Sequence, residues 1–379
     1  MPKLMIMAGG TGGHIFPGIA VAEVLPKDWD VVWLGTADRM EADIVPKHNI
    51  PFFTIQIKGI RGNGFARLLA LPFTLAKAIY QAYKVIRQEQ PDAVLGMGGY
   101  ASGPGGIAAK LAGLPLYLHE QNAVLGMTNR WLCKIANQLF TGFPLPNQGT
   151  LVGNPVRQVF GQIAEPVKHA VSDKLSILVV GGSLGARVLN ETLPEIVSEL
   201  SGFSIVHQCG KDNAQTVRAN YVKALGSSQT QLSGIRSSTA ESANTQSAGI
   251  CTASNTEIST TDFIDDMASA FAQADVIICR AGALTVAEVA MAGRAAIFVP
   301  LPSAVDDHQT RNAEYLSQHA AAYLVPQKQI KQQLIEILTT LKAMPNKTYE
   351  KGILAKSFAR SDAAEKIVTH IVDNTVVRA

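Results

Sequence analysis

The chain has 379 residues, of which 47% are hydrophobic and 17% are charged, and its formal net charge is +3. This length exceeds what one hydrophobic core normally supports, so we expect two domains, and the small net charge argues against a nucleic-acid partner. No apolar run approaches the roughly 18 residues needed to cross a bilayer, no secretory leader precedes the first apolar run, and the four cysteines lack metal-ligand spacing. These features favour a globular protein whose thiols stay reduced, as in a cytoplasm.

The first predicted unit is a strand, a glycine loop and a helix. The apolar run 4–8 breaks into Gly9-Gly10-Thr11-Gly12-Gly13-His14, and the segment 15–25 repeats apolar residues at helical spacing. Glycines allow backbone N–H groups to crowd at the amino end of a helix, where the helix dipole favours an anion. The loop therefore predicts a site for a phosphate or an anionic reaction centre, with His14 beside it to exchange a proton near neutral pH. A glycine turn with a purely structural role is the alternative.

Two nucleotide-binding motifs do not fit this loop. Counting from Gly10, the third glycine of the dinucleotide fingerprint falls on Ile15, and the next predicted strand ends without an acid for a ribose. The loop also lacks the lysine of the phosphate-binding loop in NTPases. We therefore expect neither a nicotinamide nor a flavin enzyme, and no cofactor.

Strands alternate with helical segments in the first half of the chain, which is typical of an α/β fold with a doubly wound parallel sheet. The predicted strands are Val31–Leu34, Phe52–Ile55, Ala93–Leu95 and Leu116–His119. Because ligands bind beyond the carboxyl ends of such strands, we expect a group of polar residues near one cleft. The group consists of His14, His119, Glu120 and Asn129.

Metal binding by this group is an alternative that the sequence does not favour, because the histidines and the carboxylate share no metal-ligand spacing. The motif Asp28-Trp29-Asp30 matches a short acidic motif of many metal-using sugar transferases. It precedes its strand and so lies at the wrong end of the sheet, which indicates a solvated turn. We therefore expect no metal site.

The window Ile57–Gln88 is basic and partly apolar, and it contains no acid. Its positive residues are Lys58, Arg61, Arg67, Lys77, Lys84 and Arg87, and Pro72 is expected to end or kink a helix. Such a stretch can lie on an anionic membrane surface. A core helix whose lysines extend to solvent has the same spacing, so both interpretations stay open.

The second half repeats the pattern of strand, glycine loop and helix. Leu175–Val180 is a predicted strand followed by Gly181–Ala186, and Val276–Cys279 is a predicted strand followed by Arg280–Leu284. We therefore expect two doubly wound, Rossmann-like domains facing each other across a cleft, with the cleft as the default ligand site. The segment 227–261 differs, because 21 of its 35 residues are Ser, Thr, Asn or Gln, and we expect a mobile surface insertion.

Thr285 and Glu288 have the three-residue spacing of a capping box, in which each side chain binds a backbone amide at a helix start. The alternative is that this helix end binds a second phosphate while Glu288 accepts hydrogen bonds from sugar hydroxyls. A further predicted strand, Ala295–Val299, precedes the loop Asp306–Asn312, which is rich in groups that bind hydroxyls.

Seven motifs occur in the order found in one enzyme family. They are Thr11–His14, Gly96–Tyr100, His119–Asn122, Asn154–Arg157, Gly181–Ser183, Phe263–Met267 and Arg280–Glu288. By these motifs the chain resembles, over nearly its whole length, the MurG family of bacterial N-acetylglucosaminyltransferases in peptidoglycan synthesis.

The resemblance implies a GT-B fold and the transfer, with inversion, of N-acetylglucosamine from UDP-N-acetylglucosamine (UDP-GlcNAc) to the muramyl 4-hydroxyl of lipid I. Lipid I is undecaprenyl-diphospho-muramoyl-pentapeptide, and the product is lipid II. The resemblance also implies a peripheral position on the cytoplasmic face of the inner membrane, which favours the membrane interpretation of the basic window. We expect an acceptor domain at 1–157, a UDP-GlcNAc-binding domain at 158–360, and a C-terminal segment at 361–379 that packs back on the first domain.

Matching the motifs residue by residue implies the site. The candidates for the general base are His14 and Glu120. The other implied substrate contacts are Thr11, Gly12, Gly13, Asn122, Asn129 and Arg157, then Ser183 at the diphosphate and Ile264 at the uracil, Ala283, Leu284, Thr285, Val286, Ala287 and Glu288 at the nucleotide and ribose, and Gln309 and Asn312 at the amino sugar.

The chain departs from the family pattern in three places. Leu184 replaces a usual glutamine beside the donor, Arg294 stands where a proline often follows Gly293, and the polar segment 227–261 is foreign to the family. Two other classes of protein could share the expected shape, a UDP-GlcNAc 2-epimerase and a non-catalytic sensor of nucleotide sugars.

Overall fold

The computed structural model describes residues 1–57, 65–170, 173–182, 185–226, 231–234, 249–253 and 255–376, and the description of 65–71, 231–234, 249–253 and 305 is limited to the backbone. The chain divides into two compact units. Unit 1 comprises residues 1–158 and 360–379, and unit 2 comprises residues 159–359.

The described part of unit 1 is built on a seven-stranded parallel sheet. Its strands are β1 (Lys3–Met7), β2 (Asp30–Gly35), β3 (Phe52–Thr54), β4 (Ala93–Gly96), β5 (Leu116–Glu120), β6 (Gln138–Thr141) and β7 (Thr150–Leu151). Its first five helices are α1 (Gly12–Glu23), α2 (Met40–Ile44), α3 (Phe65–Glu89), α4 (Ser102–Leu111) and α5 (Met127–Leu132). The strand order is β3-β2-β1-β4-β5-β6-β7, so the direction of winding reverses between β1 and β4.

Both faces of this sheet are buried, which explains why its strands are continuous apolar runs. Leu4 and Ile6 of β1 point into one core, and Met5 and Met7 point into the other, as the two-residue period of a strand requires. The first core is covered by α1, whereas the second is covered by α3, α4 and α5. Pro72 does not end α3, which continues through it from Phe65 to Glu89.

Unit 2 repeats the architecture. Its described strands are β8 (Leu175–Val180), β9 (Phe203–Gln208), β10 (Gln231–Gly234), β11 (Gly249–Ala253), β12 (Thr256–Thr261), β13 (Val276–Cys279), β14 (Ala295–Phe298) and β15 (Tyr323–Leu324). Its described helices are α6 (Arg187–Ile196), α7 (Ala214–Leu225), α8 (Met267–Gln273), α9 (Ala283–Ala292), α10 (His308–Ser317), α11 (Ile330–Ala343) and α12 (Asn346–Lys356). The strand order is β10-β11-β12-β9-β8-β13-β14-β15, and the winding reverses between β8 and β13.

The prediction of a surface insertion over 227–261 is wrong for its last residues. Strand β12 pairs in parallel with β9, and Ile258 is buried in the core of the sheet. Strands β11 and β10 extend the same edge in antiparallel pairing. The polar composition gave no sign of β12, because only every second residue of Thr256–Thr261 faces the core and the residues between them are polar. The rest of the segment, 227–230, 235–248 and 254, lies outside the described residues.

The last helix, α13 (Ala363–Asn374), belongs to unit 1. It packs against α1, and Ile367 and Ile371 are fully buried in the same core as Ile15 and Ile19. Two units of this type, each with a Rossmann-like order of parallel strands between helices, make up a GT-B fold.

We expect Ile367→Ala to destabilise unit 1 by about 2 to 5 kcal/mol, because the substitution leaves a cavity in a core that encloses the side chain completely. Lys366→Ala is the matched control, because it removes only a solvent-exposed pair with Asp362 on the same helix and should cost less than about 1 kcal/mol. All three tryptophans lie in unit 1, so urea unfolding followed by tryptophan fluorescence measures this unit. Equal stability of the two variants would contradict the assignment of α13 to this core.

Candidate active site

Two glycine loops touch at the carboxyl edge of the sheet in unit 1. They follow β1 and β4, the neighbouring strands at which the winding reverses, and this is where parallel sheets bind ligands. A Cβ atom on Gly99 would lie only 2.0 Å from the backbone oxygen of Gly9, and Gly99 has a φ of +80°. Only glycine therefore fits there, because the loops approach backbone to backbone.

Glu41 supports the first loop from the interior. Its carboxylate is completely buried, and one oxygen accepts a hydrogen bond from the backbone nitrogen of Gly10 at 2.9 Å. The other oxygen accepts hydrogen bonds from the backbone nitrogen and the hydroxyl of Thr36 at 3.1 and 2.6 Å. Glu41 therefore fixes the course of the loop between β1 and α1. Sequence reasoning missed this residue, because nothing in the pattern of α2 marks a buried acid.

His14 lies in the first turn of α1, whose N-cap is Thr11. Its Nδ1 atom is 3.2 Å from the hydroxyl of Thr11, and its backbone nitrogen donates to the carbonyl oxygen of Thr11 at 3.0 Å. On the other side, its ring borders the second loop, since a Cβ on Gly98 would lie 3.0 Å from Nε2. The imidazole is thus half-buried and held between the two glycine loops.

Glu120 ends β5 and ties down the loop that follows. One carboxylate oxygen accepts from the backbone nitrogen and the amide of Asn122, at 3.1 and 3.2 Å. The other accepts from the backbone nitrogen of Gly126 and the amide of Asn129, at 2.9 and 3.0 Å. With Glu120 and Asn129 both buried, the loop 121–129 is organised around this carboxylate.

His119 does not join the group that the sequence predicted. Its side chain is fully buried, and Nε2 donates to the backbone oxygen of Gly153 at 2.9 Å. Burial lowers the pKa of His119 to about 4, and the hydrogen bond to Gly153 opposes this only partly. The ring is therefore neutral at physiological pH and contributes to the core. Its neighbour Glu120 points to the opposite face, as successive strand residues must.

The remaining predicted residues of unit 1 lie at or near the start of α1. Thr11 and Gly13 are exposed, and the exposed guanidinium of Arg157 lies 5.9 Å from the ring centre of Phe16 on the same helix. The structure therefore gathers Thr11, Gly12, Gly13 and Arg157 along one helix end in unit 1.

In unit 2, the predicted residues Ala283 to Glu288 form the first two turns of α9. The N-cap is Gly282, and no side chain caps this helix end. The capping box predicted for Thr285 and Glu288 is wrong, because that motif requires the N-cap at Thr285, which instead lies inside the helix. Both side chains are partly exposed within the helix.

Arg280 ties together the loops that follow β13, β14 and β15. Its guanidinium donates to the backbone oxygens of Val299 and Pro300 at 3.0 and 3.1 Å and to the side-chain oxygen of Gln327 at 3.0 Å. Sequence reasoning quoted Arg280 as part of a motif and gave it no role of its own.

The two predicted amino-sugar residues contact the same loops. The amide of Asn312 is buried and donates to the backbone oxygen of Ala281 at 3.1 Å, and the side-chain oxygen of Gln309 accepts from the backbone nitrogen of Leu301 at 2.9 Å. Ile264 is half-buried in the segment after β12. Ser183 and the departure at Leu184 lie outside the described residues.

Within the described residues, no group of three or more His, Cys, Asp or Glu side chains could hold a metal ion. No helix in the same part of the chain has the length and apolar character to span a membrane.

The geometry of both units agrees with one family. A model of the glycosyltransferase family 28 N-terminal domain matches residues 4–141, and a model of the family's C-terminal domain matches residues 176–367. The chain belongs to glycosyltransferase family 28.

Relatives in family 28 match the chain from end to end. One is the UDP-N-acetylglucosamine–N-acetylmuramyl-(pentapeptide) pyrophosphoryl-undecaprenol N-acetylglucosamine transferase of Tolumonas auensis, which is 48% identical, with 97% of each protein covered. The crystal structure of Acinetobacter baumannii MurG is similar with a TM-score of 0.77 and 38% identity, covering 98% of this chain and 100% of that one.

A UDP-GlcNAc 2-epimerase from Neisseria meningitidis is similar in fold, with a TM-score of 0.64. Its sequence identity is 13%, with 99% of this chain and 100% of that chain covered. At this identity the likeness concerns the fold alone, and it explains why the sequence left an epimerase open as an alternative.

The stability of unit 1 should fall in mild acid because of His119. With a pKa of about 4 in the folded state and 6.5 in the unfolded state, the unfolded chain binds more protons between these values. The stabilisation is therefore complete above pH 6.5, decreases as the pH falls through this window, and is smaller by on the order of 2 kcal/mol at pH 5.

His119→Gln keeps a donor for Gly153 without the titration, so it should flatten the difference between urea unfolding at pH 7.5 and at pH 5. The exposed His319 supplies the control, His319→Gln, which should leave the pH dependence as in the wild type. If His119→Gln leaves the acid sensitivity of tryptophan-monitored unfolding unchanged, His119 is not its source.

Proposed function

We propose that the chain is an inverting hexosyltransferase that moves N-acetylglucosamine from UDP-GlcNAc to the 4-hydroxyl of the muramyl sugar of lipid I and so makes lipid II. One observation carries the proposal, the 48% identity over 97% of both chains to a transferase named for this reaction. The GT-B fold with both family 28 domains agrees with it.

The proposal assigns the donor to unit 2. The amino end of α9 carries no acid in its first turn and no side-chain cap, so its backbone N–H groups and dipole are available to a diphosphate. Thr285 and Glu288 lie on the same two turns, where a ribose can be bound. Gln309 and Asn312 border the neighbouring loops and are assigned to the amino sugar, with Ile264 at the uracil and Ser183 at the diphosphate.

The proposal assigns lipid I to unit 1, where the loops after β1, β4 and β5 carry the polar groups. Attack by the muramyl hydroxyl on the anomeric carbon breaks the bond to UDP, so positive charge grows on the sugar and negative charge on the leaving diphosphate. Preorganised N–H groups at the latter each contribute a few kcal/mol to such reactions. A general base must remove the hydroxyl proton, which is typically worth about 10² to 10⁴ in rate.

We assign the base to His14 and a positioning role to Glu120. An ionised carboxylate offers about four acceptor sites, and Glu120 uses both oxygens for two hydrogen bonds each within its own loop. A proton on either oxygen would displace one of these donors. The His14 ring is half-buried and lies at the contact of the two glycine loops, and imidazole is the side chain most often used for proton transfer near neutral pH.

The outer surface of α3 supports a membrane-facing role for unit 1. Ala78, Ala82 and Ile86 face the core, and the opposite side of the helix is exposed. We call this exposed side the α3 stripe, and its residues are Phe73, Lys77, Tyr80, Lys84 and Arg87. Phe73 and Tyr80 are 80% and 69% exposed, and exposed apolar groups that lie together on one surface mark protein or membrane interaction sites.

Neighbouring helices on the same face of the sheet have the same character. Leu111 on α4 is 67% exposed, and Trp131 on α5 is 67% exposed with the ammonium of Lys134 over its ring. From residue 57 to residue 164 the sequence has ten Lys and Arg and three acids, of which Asp92 and Glu120 are buried. Exposed apolar groups among cations fit an anionic lipid surface, so we place the enzyme peripherally on the cytoplasmic face of the inner membrane.

The reaction is tested with labelled UDP-GlcNAc and lipid I, scored for lipid II, and with UDP-GlcNAc alone, scored for the manno isomer that an epimerase would make. We expect lipid II and no isomer. His14→Ala should lower kcat by about 10² to 10⁴ and leave the KM for UDP-GlcNAc nearly unchanged. Formation of the isomer, or absence of lipid II with the wild type, would contradict the proposed function.

Glu120→Gln separates the two candidate bases. The new amide group would face the donors of Asn122 or Gly126, so the substitution should disturb the loop and raise the KM for lipid I. The acidic limb of the pH–rate profile should persist, because His14 remains. The assignment of the base to His14 fails if Glu120→Gln abolishes that limb or if His14→Ala retains near-normal turnover.

Charge reversal on the α3 stripe tests the membrane surface. Lys77→Glu combined with Lys84→Glu should weaken binding to vesicles of phosphatidylglycerol at least about tenfold, since each cation near an anionic surface is worth roughly 1 kcal/mol. The matched control is Lys211→Glu with Lys223→Glu, which makes the same change in net charge on exposed residues of unit 2. Co-sedimentation that is equal for both double variants would refute the assignment, and neutral phosphatidylcholine vesicles report the background.

A further inference from the structure

Gln208 is a buried side chain that no step of the reaction accounts for. It ends β9, the strand between β8 and β12, so it lies between the loops that follow those two strands. Its exposed fraction is 1%, and its side-chain hydrogen bonds go to Gly182 and Asp262 rather than to the predicted substrate residues of α9 or α10. A polar group this deeply buried costs free energy unless it is hydrogen-bonded, so its partners show which segments it holds together.

The carboxamide of Gln208 binds both flanking loops at once. Its oxygen accepts from the backbone nitrogen of Gly182 at 2.9 Å, and its nitrogen donates to the backbone oxygen of Gly182 at 3.0 Å. The same nitrogen donates to the backbone oxygen of Asp262 at 2.9 Å. Two carbonyl acceptors and one N–H donor define the orientation of the amide, and no other side chain of this size offers one acceptor and two donors.

The backbone around Gln208 repeats the connection. Gly181 donates to the backbone oxygen of Gln208 at 3.1 Å, and Gly210 donates to the backbone oxygen of Asp262 at 3.2 Å. A Cβ atom on Gly185, which has a φ of +77°, would lie 2.2 Å from the backbone oxygen of Cys209. The glycine loop after β8 is therefore pressed against the end of β9, and the segment after β12 is held from the other side.

We propose that Gln208 is a positioning residue for the nucleotide part of the donor, and that it fixes the spacing between the loop at Gly182 and the segment that begins at Asp262. The inference rests on the proposed function, in which Ser183, the residue after Gly182 in the sequence, is assigned to the diphosphate and Ile264 is assigned to the uracil. A ligand that spans both loops gains from their fixed spacing, whereas a ligand that touches only one does not.

The test compares the binding of UDP, uridine and pyrophosphate by titration calorimetry. Gln208→Leu removes all three hydrogen bonds and should weaken UDP at least tenfold, while uridine and pyrophosphate alone change less than threefold. The KM for UDP-GlcNAc should rise, and the KM for lipid I should stay within twofold of the wild type. The control is Thr256→Val, which removes a buried hydrogen bond to Leu200 at the start of β12, far along the strand from Asp262. Thr256→Val should leave the affinity for UDP within twofold of the wild type.

Gln208→Glu adds a readout that loss of stability alone would not produce. The ionised carboxylate faces two carbonyl oxygens, but its protonated form regains a donor, and burial raises the pKa of such a carboxyl. UDP binding by Gln208→Glu, relative to the wild type at the same pH, should therefore recover as the pH is lowered from 8 to 5.5. This readout also decides the question if Gln208→Leu fails to fold.

Three outcomes would overturn the inference. The first is a UDP affinity within twofold of the wild type in either folded Gln208 variant. The second is an equal loss of affinity for UDP and for uridine, because it would place the effect in one loop alone. A pH-independent ratio for Gln208→Glu would also count against it. If the wild type binds neither UDP nor uridine, the proposed function itself fails together with the inference, which distinguishes this result from the others.

Discussion

The structure depends on one constraint, that glycine-rich loops have no side chains of their own to fix their backbone conformation. Glycine supplies close backbone approach and positive φ angles, but it brings no side chain for support and loses the most conformational entropy when ordered. Buried side chains supply the support here. Glu41 accepts from the N–H of Gly10 and Gln208 accepts from that of Gly182, and Glu120 supports the loop 121–129, which has one glycine, through the N–H of Gly126. Each has an exposed fraction of 3% or less.

The chemistry of these supports agrees with their position. A buried carboxylate is costly unless its oxygens are filled by hydrogen bonds, and the amide and hydroxyl donors of a neighbouring loop are the partners at hand. Glu41 accepts three hydrogen bonds and Glu120 accepts four. A proton on either acid would compete with these donors. In the proposed mechanism we therefore assign Glu120 to orienting the loop 121–129 and not to acting as the base.

The sequence predicted β1, β4, β8 and β13, at the centres of the two sheets, because both faces of a parallel sheet are buried, whereas the central strand β9 was not predicted. The predictions for Leu175–Val180 and Val276–Cys279 are confirmed to the residue, and those for Phe52–Ile55 and Ala93–Leu95 differ by one residue at an end. Strands with one polar face were missed, above all Thr256–Thr261, whose composition resembles that of a loop.

The supports of the site could not be predicted for a different reason. The two glycine loops of unit 1 were visible as motifs, but the acid that braces the first one is separated from Gly10 by 31 positions and has no motif of its own. The capping-box alternative for Thr285 and Glu288 fails for a related reason. A capping box is a local pattern, whereas the start of α9 is set by Gly282 at the end of the loop after β13, so tertiary structure overrode the local signal.

Arg294 lies just beyond the carboxyl end of the same helix and holds that end by hydrogen bonds. Gly293 ends α9 in the left-handed region with a φ of +62°, and the next residue is a buried arginine. Its guanidinium donates to the backbone oxygens of Phe271 and Ala272 near the end of α8 and of Ala292 at the end of α9. Carbonyl groups at helix carboxyl ends carry partial negative charge, so they stabilise the cation, and the negative charge of Asp275 stabilises it further. Burial lowers the pKa of Arg294. The ordinary pKa of a guanidinium is so far above neutral pH that the side chain nevertheless keeps its charge. The arginine thereby connects the carboxyl ends of α8 and α9, and it anchors the helix whose amino end is assigned to the donor.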